Sequence, residues 1–263
     1  MAHRDAIAVI LSLCASGAPA AELFLANIPI TAEKGARLSA TDPLLVRLEV
    51  WPIDPRKRVE LRDRLDARWD EAGATVRLAG YPSSADRVLP GYLRPSFLVD
   101  FDEPPVAALR ERVQRDSGEH PRTRQLEAFV ARYVEKKVYT RAHDPASVVA
   151  RRREGDCTEH AVLLAALARM FGIPARLVVG LALIAPRGQL RAVGHEWVET
   201  FEEGSWRPAD AIQVDESSVF VRLPLSVVSD EGPGFALSLL GSLSPLDLRE
   251  VRLLAPSAEE VKQ

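Results

Sequence analysis

One stretch of the chain, residues 155–171, limits the folds open to this sequence more than any other. It reads Gly-Asp-Cys-Thr-Glu-His and continues as an apolar-rich run in which large side chains recur at helical spacing. These side chains are Val162, Leu163, Leu164, Leu167 and Met170. Gly172 and Pro174 follow the run, and a glycine and then a proline after the last periodic residue indicate the end of a helix. The stretch therefore predicts a helix of roughly four turns that begins at Cys157.

Cys157 occupies a chemically special position in this predicted helix. Free backbone N–H groups and the positive end of the helix dipole favour a thiolate there, and the thiolate is the form that attacks a carbonyl carbon. A lone cysteine is also among the most commonly buried residues, in which case it behaves as a small apolar side chain. Cys157 alone leaves both interpretations open, a nucleophile or a core residue.

Composition sets the broad class of the protein. The 263 residues fit one large domain or two modest ones. With 47% hydrophobic residues, 27% charged residues and a formal net charge of -3, the chain has the composition of an ordinary globular protein. This balance does not favour nucleic acid or an anionic membrane as a partner, and the sequence has no apolar run long enough to span a bilayer.

The first 20 residues have the pattern of a secretory signal peptide. An apolar stretch at 6–15 precedes an Ala-Pro-Ala cleavage pattern at 18–20, so we expect an exported protein, in a bacterial periplasm or outside the cell. The alternatives are a buried N-terminal helix, an uncleaved anchor, or a lipoprotein signal at Cys14, which the preceding Leu13 disfavours. Cleavage removes Cys14, so the mature chain keeps Cys157 as its single thiol and forms no internal disulfide.

Residues 21–120 are predicted to form a mixed α and β region, separated near 118–124 from a catalytic domain at 121–263. The patterns predict strands at 44–51, 75–81 and 96–101, and helices at 55–73, from 106 onwards and at 126–134. The C-terminal tail is predicted to contain strands at 219–228 and 246–254 and a short helix at 235–240. The tail either completes a sheet or covers the site, and the patterns do not decide between these.

Beyond the Cys157 helix, the sequence predicts a β-hairpin that carries two further reactive groups. An apolar run at 175–184 is typical of a buried strand, and strands at 193–201 and 205–208 flank a tight turn, which implies antiparallel pairing. His195 lies at the start of the first hairpin strand and Asp210 just beyond the second, so the two can be neighbours. Packed against the start of the helix, they would supply a base and a carboxylate that orients the base.

His160 allows other interpretations of the predicted site. It lies three residues after Cys157, so both side chains can share one helical face. It is a rival base, or half of a zinc site with Cys157. Because the sequence has no second cysteine nearby and no C-x-x-C, zinc is disfavoured and we expect no metal and no cofactor. The favoured interpretation is that His160 and Glu159 pack around the site without reacting.

Four blocks of sequence resemble the transglutaminase-like superfamily, in particular its exported bacterial members. They read Gly-Asp-Cys-Thr-Glu-His-Ala at 155–161, Gly-Ile-Pro-Ala-Arg at 172–176, Gly-His-Glu-Trp-Val-Glu at 194–199 and Gly-Ser-Trp-Arg-Pro-Ala-Asp at 204–210. The resemblance implies an α+β fold with a papain-like core, in which the cysteine helix packs on an antiparallel sheet. It also implies a Cys-His-Asp triad of Cys157, His195 and Asp210. Glu196 stands where relatives often have alanine.

The chemistry implied is thiol-dependent acyl transfer at amide bonds of a peptide or protein substrate. Water as acceptor gives a peptidase or amidase, and an amine gives cross-linking of the transglutaminase type. Hydrolysis is favoured, because the resemblance to exported bacterial members leans that way and because no calcium loop of the EF-hand type is present. The alternative from a different class is a catalytically silent binding or scaffold module.

Overall fold

The computed structural model describes residues 27–50, 64–82, 87–138, 143–212, 219–228, 230–235 and 248–255. The expected signal peptide, most of the predicted helix at 55–73 and the helix predicted at 235–240, apart from Phe235, lie outside the described residues. No helix within the described residues is long and apolar enough to cross a membrane.

Helices and strands alternate irregularly along the chain. The described helices are α1 (Pro104–Ala107), α2 (Leu109–Ser117), α3 (Thr123–Tyr133), α4 (Ala146–Arg152) and α5 (Cys157–Met170), with a 3₁₀ turn at Pro90–Leu93. The first strands are β1 (Asn27–Ile28), β2 (Ile30–Ala32), β3 (Leu44–Val50), β4 (Asp66–Trp69), β5 (Gly73–Leu78), β6 (Lys136–Lys137) and β7 (Glu154–Gly155). The later strands are β8 (Ala175–Ile184), β9 (Arg191–Glu202), β10 (Ser205–Ala209), β11 (Phe220–Val227) and β12 (Leu248–Leu254).

The first sheet is antiparallel and supports the cysteine helix. Its strand order is β1-β9-β8-β11, and β10 pairs with β9 on the edge that β8 leaves free. Helix α5 packs on β9 and β8, and all of its side chains are buried. The fold is therefore α+β, with a cysteine-bearing helix on an antiparallel sheet, as the sequence predicts.

The second sheet joins the two ends of the described chain. Its order is β2-β12-β3-β5-β4, so the last described strand lies between two of the first described ones. Strand β12 is antiparallel to β3 and parallel to β2. The two described strands of the C-terminal tail thus join different sheets, because β11 pairs with β8 in the first one.

Two apolar clusters make up the core, and both include residues of β8. Leu177 and Val179 belong to the first cluster, with helices α1 to α5. Leu181 and Leu183 belong to the second cluster, with strands of the second sheet. Apart from Arg176, strand β8 therefore carries apolar side chains toward both clusters, which explains its apolar run in the sequence.

Several sequence predictions are confirmed. Helix α5 begins at Cys157 and runs 14 residues, β8 has the predicted bounds, and β10 returns antiparallel to β9 after the tight turn. The strands predicted near 44–51, 75–81, 219–228 and 246–254 are also present as β3, β5, β11 and β12.

Two predictions are wrong. The helix predicted to reach residue 73 from the four-residue spacing of Leu65 and Trp69 is replaced at its end by strand β4, where exposure alternates with period two. The strand predicted at 96–101 is a series of turns, in which the Ser96 hydroxyl accepts the Val99 N–H at 3.0 Å. Its alternation fails because Phe97 is 48% exposed while the residues that follow it are buried.

Candidate active site

The start of α5 is built from two carboxyl groups and a glycine. Asp156 caps the helix, and its Oδ1 accepts the Thr158 N–H at 2.9 Å. Glu159 reaches back, and its Oε2 accepts the Asp156 N–H at 2.9 Å. A Cβ on Gly155 would lie 2.3 Å from the Glu159 Cβ, so only glycine leaves room for that side chain. This capping box fixes Cys157 as the first residue of the helix.

Cys157 contacts β9 at a point where no strand of the described residues pairs with one of its edges. On the edge away from β8, β1 pairs with β9 as far as Val193, and pairing with β10 begins only at Val198. Between these two pairings, the Cys157 thiol accepts the backbone N–H of Glu196. The thiol therefore lies against the strand one residue beyond His195, and 8% of the Cys157 surface is exposed.

His195 and Asp210 are directly bonded. His195 Nε2 lies 2.8 Å from Asp210 Oδ2, and both side chains are buried. Asp210 follows the last residue of β10, and its Oδ1 accepts the Ile212 N–H at 3.0 Å. Glu127 of α3 accepts the Asp210 N–H at 2.7 Å. The hairpin thus brings together the histidine and aspartate that the sequence predicts as neighbours, and α3 anchors the aspartate backbone.

Aromatic rings enclose the His195 imidazole. Trp197 stacks on it with ring centroids 5.8 Å apart and planes at 25°. Phe220 of β11 meets it edge-on at 5.5 Å. These rings fix the plane of the imidazole and limit its contact with water, which leaves Asp210 as the described hydrogen-bond partner of Nε2.

The electrostatic surroundings of the thiol differ from the sequence prediction. A helix N-terminus by itself predicts a lowered cysteine pKa. Burial, followed by the nearby Asp156 carboxylate, instead raises the pKa of Cys157 well above its usual value, and Glu196 and Asp210 add to the rise. The resting thiol is therefore protonated at neutral pH.

Asp210 remains ionised in this buried position. Desolvation acts to raise its pKa, but the interactions with His195, including its hydrogen bond, and with the charge of Arg222 outweigh desolvation. The result is an Asp210 pKa well below its usual range, so the carboxylate is negative throughout the physiological pH range.

The His160 side chain is hydrogen-bonded to the backbone at the start of α5. Its Nδ1 lies 2.6 Å from the Asp156 carbonyl oxygen, to which it donates, and burial lowers the His160 pKa. It is a neutral, buried ring that supports the first turn of α5. Among the described residues, no group of three or more His, Cys, Asp or Glu side chains is arranged to hold a metal ion.

A second histidine–carboxylate pair lies near the thiol, and no sequence motif marks it. His143 Nε2 donates to Glu196 Oε2 at 2.6 Å, and both residues are buried. Glu196 Oε1 is buried and has no hydrogen-bond partner among the described residues. At position 196 this chain has glutamate where members of the family often have alanine. The buried partner of this glutamate is His143, 53 positions earlier.

Arg176 forms a buried ion pair within the first sheet. Its Nε donates to Glu199 Oε2 at 2.7 Å, and its guanidinium lies 4.1 Å from the centre of the Trp206 ring. The other Glu199 oxygen binds Arg64 and Tyr81 from the N-terminal region. One buried carboxylate therefore ties the hairpin to residues more than a hundred positions earlier.

Arg222 of β11 is a site residue that sequence reasoning missed. Its Nε and Nη2 donate to Asp210 Oδ2 at 2.9 and 2.7 Å. No motif marks it, because only the pairing of β11 with β8 brings it to the site.

A cavity of about 170 Å³ adjoins Arg222 and Phe220. It is also lined by Asp42 and Tyr81, so the N-terminal region forms part of its wall.

The segment that carries this site matches the sequence model of a known protein family. A sequence model described as the transglutaminase-like superfamily matches residues 107–211. This segment belongs to the transglutaminase-like superfamily. It contains Cys157, His195 and Asp210, and members of the superfamily typically use cysteine-based catalysis. No curated protein matches the chain.

Solved structures related to the transglutaminase-like segment are distant. A protein from Cytophaga hutchinsonii described as a candidate cysteine protease is 14% identical, with 72% of this chain and 77% of that chain covered and a TM-score of 0.42. The periplasmic domain of TgpA from Pseudomonas aeruginosa, bound to ethylmercury, is 16% identical, with 69% and 96% covered and a TM-score of 0.37. A second structure of that domain is 15% identical, with 66% and 88% covered and the same TM-score.

Proposed function

We propose that the protein transfers acyl groups from amide bonds of a peptide or protein, with Cys157 as nucleophile, His195 as base and Asp210 as the residue that positions the base. One observation supports this more than any other. His195 is bonded to the ionised Asp210 at 2.8 Å, and the Cys157 thiol at the helix start accepts the backbone N–H of Glu196, the residue that follows His195.

The hydrogen bond between His195 and Asp210 indicates which ring nitrogen of His195 carries the proton. Because Asp210 is ionised and accepts from His195 Nε2, this nitrogen carries the ring proton in the neutral imidazole. Nδ1 is then the nitrogen with a free lone pair. Because burial keeps Cys157 protonated at rest, Nδ1 takes the thiol proton while the sulfur attacks. The reaction does not start from a preformed thiolate–imidazolium pair.

The proposed first step forms a C–S bond between Cys157 and the amide carbonyl carbon while His195 becomes an imidazolium. The carbonyl oxygen becomes an oxyanion, for which the Cys157 backbone N–H at the start of α5 is a donor. The C–N bond then breaks, and His195 returns the proton to the leaving amine. A thioester on Cys157 remains.

In the second step, water attacks the thioester and gives a proton to His195. The C–S bond breaks, the carboxylic acid leaves, and the proton returns to the sulfur. The same thioester resolved by an amine gives transamidation, and the three residues serve both outcomes. We assign water as the acceptor on the resemblance to exported bacterial members, and we propose export itself on the N-terminal sequence pattern.

A catalytically silent binding module is the second candidate. The observation that favours it is the burial of the reacting groups, with Cys157 8% and His195 7% exposed. Such a module keeps the fold but gives a substrate no path to the sulfur.

The test is cleavage of an unstructured protein substrate, such as reduced casein, by the wild type and by Cys157→Ala, His195→Ala and Asp210→Asn. The proposed function predicts cleavage that Cys157→Ala abolishes and His195→Ala reduces by about 10² or more. Mass spectrometry with and without added free amine shows whether the new ends are carboxylates or amides. Cleavage that persists in Cys157→Ala, or a wild type that neither cleaves nor transfers, would contradict the proposal.

A further inference from the structure

Arg222 shares one oxygen of Asp210 with His195. Asp210 Oδ2 accepts from His195 Nε2 at 2.8 Å and from Arg222 Nε and Nη2 at 2.9 and 2.7 Å. The other oxygen, Oδ1, accepts only a backbone N–H among the described contacts. The side chains of Asp210 and His195 are buried, and that of Arg222 is 22% exposed. The guanidinium therefore lies at the solvent side of a buried histidine–aspartate pair.

The surroundings hold Arg222 in this contact. It lies on β11 opposite Ala182 of β8, so the strand pairing fixes where its side chain begins. Its guanidinium lies 4.4 Å from the centre of the Phe220 ring, and Phe220 in turn meets His195 edge-on. A cation over an aromatic face is attracted to it. Arg222 is thus held by backbone, ring and carboxylate together.

The charge of Arg222 changes what Asp210 does to the imidazole. A lone buried carboxylate beside a histidine stabilises the imidazolium and commonly raises the histidine pKa by one unit or more. A guanidinium is always charged, and two of its donors on the same oxygen cancel much of that carboxylate field at the ring. The hydrogen bond to Nε2 remains, so the ring stays oriented while the net electrostatic pull of Asp210 on it is weaker.

We propose that Arg222 is a positioning residue that holds Asp210 against His195 while its charge offsets much of the Asp210 field at the imidazole, so that the ring stays oriented to accept the Cys157 proton. This role rests on the proposed function, in which His195 is the base for the Cys157 thiol. Among the described residues, the charged and titratable groups near the pair include Cys157 and His160 of α5, Glu127 of α3 and Arg222 of β11, and Asp42 lines the cavity beside Arg222. Of these described groups, Arg222 is the one that carries a permanent positive charge in contact with Asp210.

The test follows the His195 imidazole by NMR as a function of pH, in full-length protein labelled on histidine. The His195 signal is assigned by its loss in His195→Ala. In Arg222→Gln, the titration midpoint of His195 is expected to rise by about one pH unit or more, because Asp210 then acts on the ring alone. Arg207→Gln is the matched control, since it removes an exposed arginine of β10 and should leave the midpoint unchanged.

A second variant keeps the test decisive if Arg222→Gln does not fold. Arg222→Lys retains the charge without the planar pair of donors, and its midpoint should stay near that of the wild type. A midpoint unchanged in folded Arg222→Gln, or raised in Arg222→Lys, would overturn the role. The titration needs no substrate, so its outcome is independent of whether the protein cleaves amides.

Discussion

Three carboxylates, Asp156, Glu196 and Asp210, surround the Cys157 thiol, and together with burial they raise its pKa. The sequence identifies the cysteine, the histidine and the aspartate by their blocks and order. It does not reveal the charge state of the site, because that depends on distances between carboxylates from three different segments. Burial and these carboxylates therefore favour a protonated thiol over the thiolate that the helix start alone predicts.

Glu159 makes stability depend on pH. Burial, followed by the neighbouring Asp156 charge, raises the pKa of Glu159 to about 7. The folded protein then holds a proton on Glu159 that the unfolded chain releases above its usual pKa, so the free energy of unfolding should fall as pH rises from about 4.5 to 7. The expected loss is a few kcal/mol, at about 1.4 kcal/mol per pKa unit.

Urea denaturation of the wild type and Glu159→Gln across this pH range measures the effect. The variant should be less stable overall, since its amide matches only one of the two backbone N–H groups that Glu159 accepts. It should also lose the slope with pH. An equal slope in both proteins would show that Glu159 is not the group responsible.

At the scale of elements, the segments with strong and local signals are predicted correctly. Helix α5 has a capping residue, an apolar run and a glycine stop, and the β9–β10 hairpin has a tight turn. Weak signals fail where tertiary contacts decide the structure. Strand β4 forms because β5 pairs with it, and that pairing overrides the four-residue spacing of Leu65 and Trp69.

The buried carboxylate of Glu199 is expected to be the strongest polar link between the hairpin and the N-terminal region. Glu199→Gln leaves the buried guanidinium groups of Arg64 and Arg176 without a counter-charge, and we expect a loss of about 3–5 kcal/mol in the free energy of unfolding. Urea denaturation at neutral pH measures it.

The matched control lies in the same hairpin. Glu203→Gln removes an exposed carboxylate whose partner is Arg207, and it should change the free energy of unfolding by less than about 1 kcal/mol. Similar losses in both variants would mean that the buried cluster contributes no more than a surface ion pair.

At the scale of the whole molecule, the second sheet links the two ends of the described chain. The sequence predicts the strands β3, β5 and β12 but not their order, because a strand pattern carries no information about a partner two hundred residues away. The division into regions 21–120 and 121–263 remains a prediction. Leu253 of β12 shares an apolar cluster with Val46 of β3 and Leu183 of β8, which couples the two sheets.

This shared cluster predicts one cooperative thermal transition for the protein. Leu253→Ala removes a fully buried side chain and should lower the free energy of unfolding by about 2–5 kcal/mol. Differential scanning calorimetry should show the whole transition move to lower temperature. Two separate transitions, with only one shifted by Leu253→Ala, would show that the sheets unfold as independent units.

The most direct test of the central claim is the alkylation of Cys157 by iodoacetamide at neutral pH, in native wild type, native His195→Ala and both proteins unfolded in urea. If His195 activates the thiol, the native wild type labels at Cys157, and His195→Ala slows native labelling by about tenfold or more while leaving the unfolded rate unchanged. A thiol that labels only after unfolding, at equal rates in the two proteins, would make Cys157 a core residue and contradict the proposed chemistry.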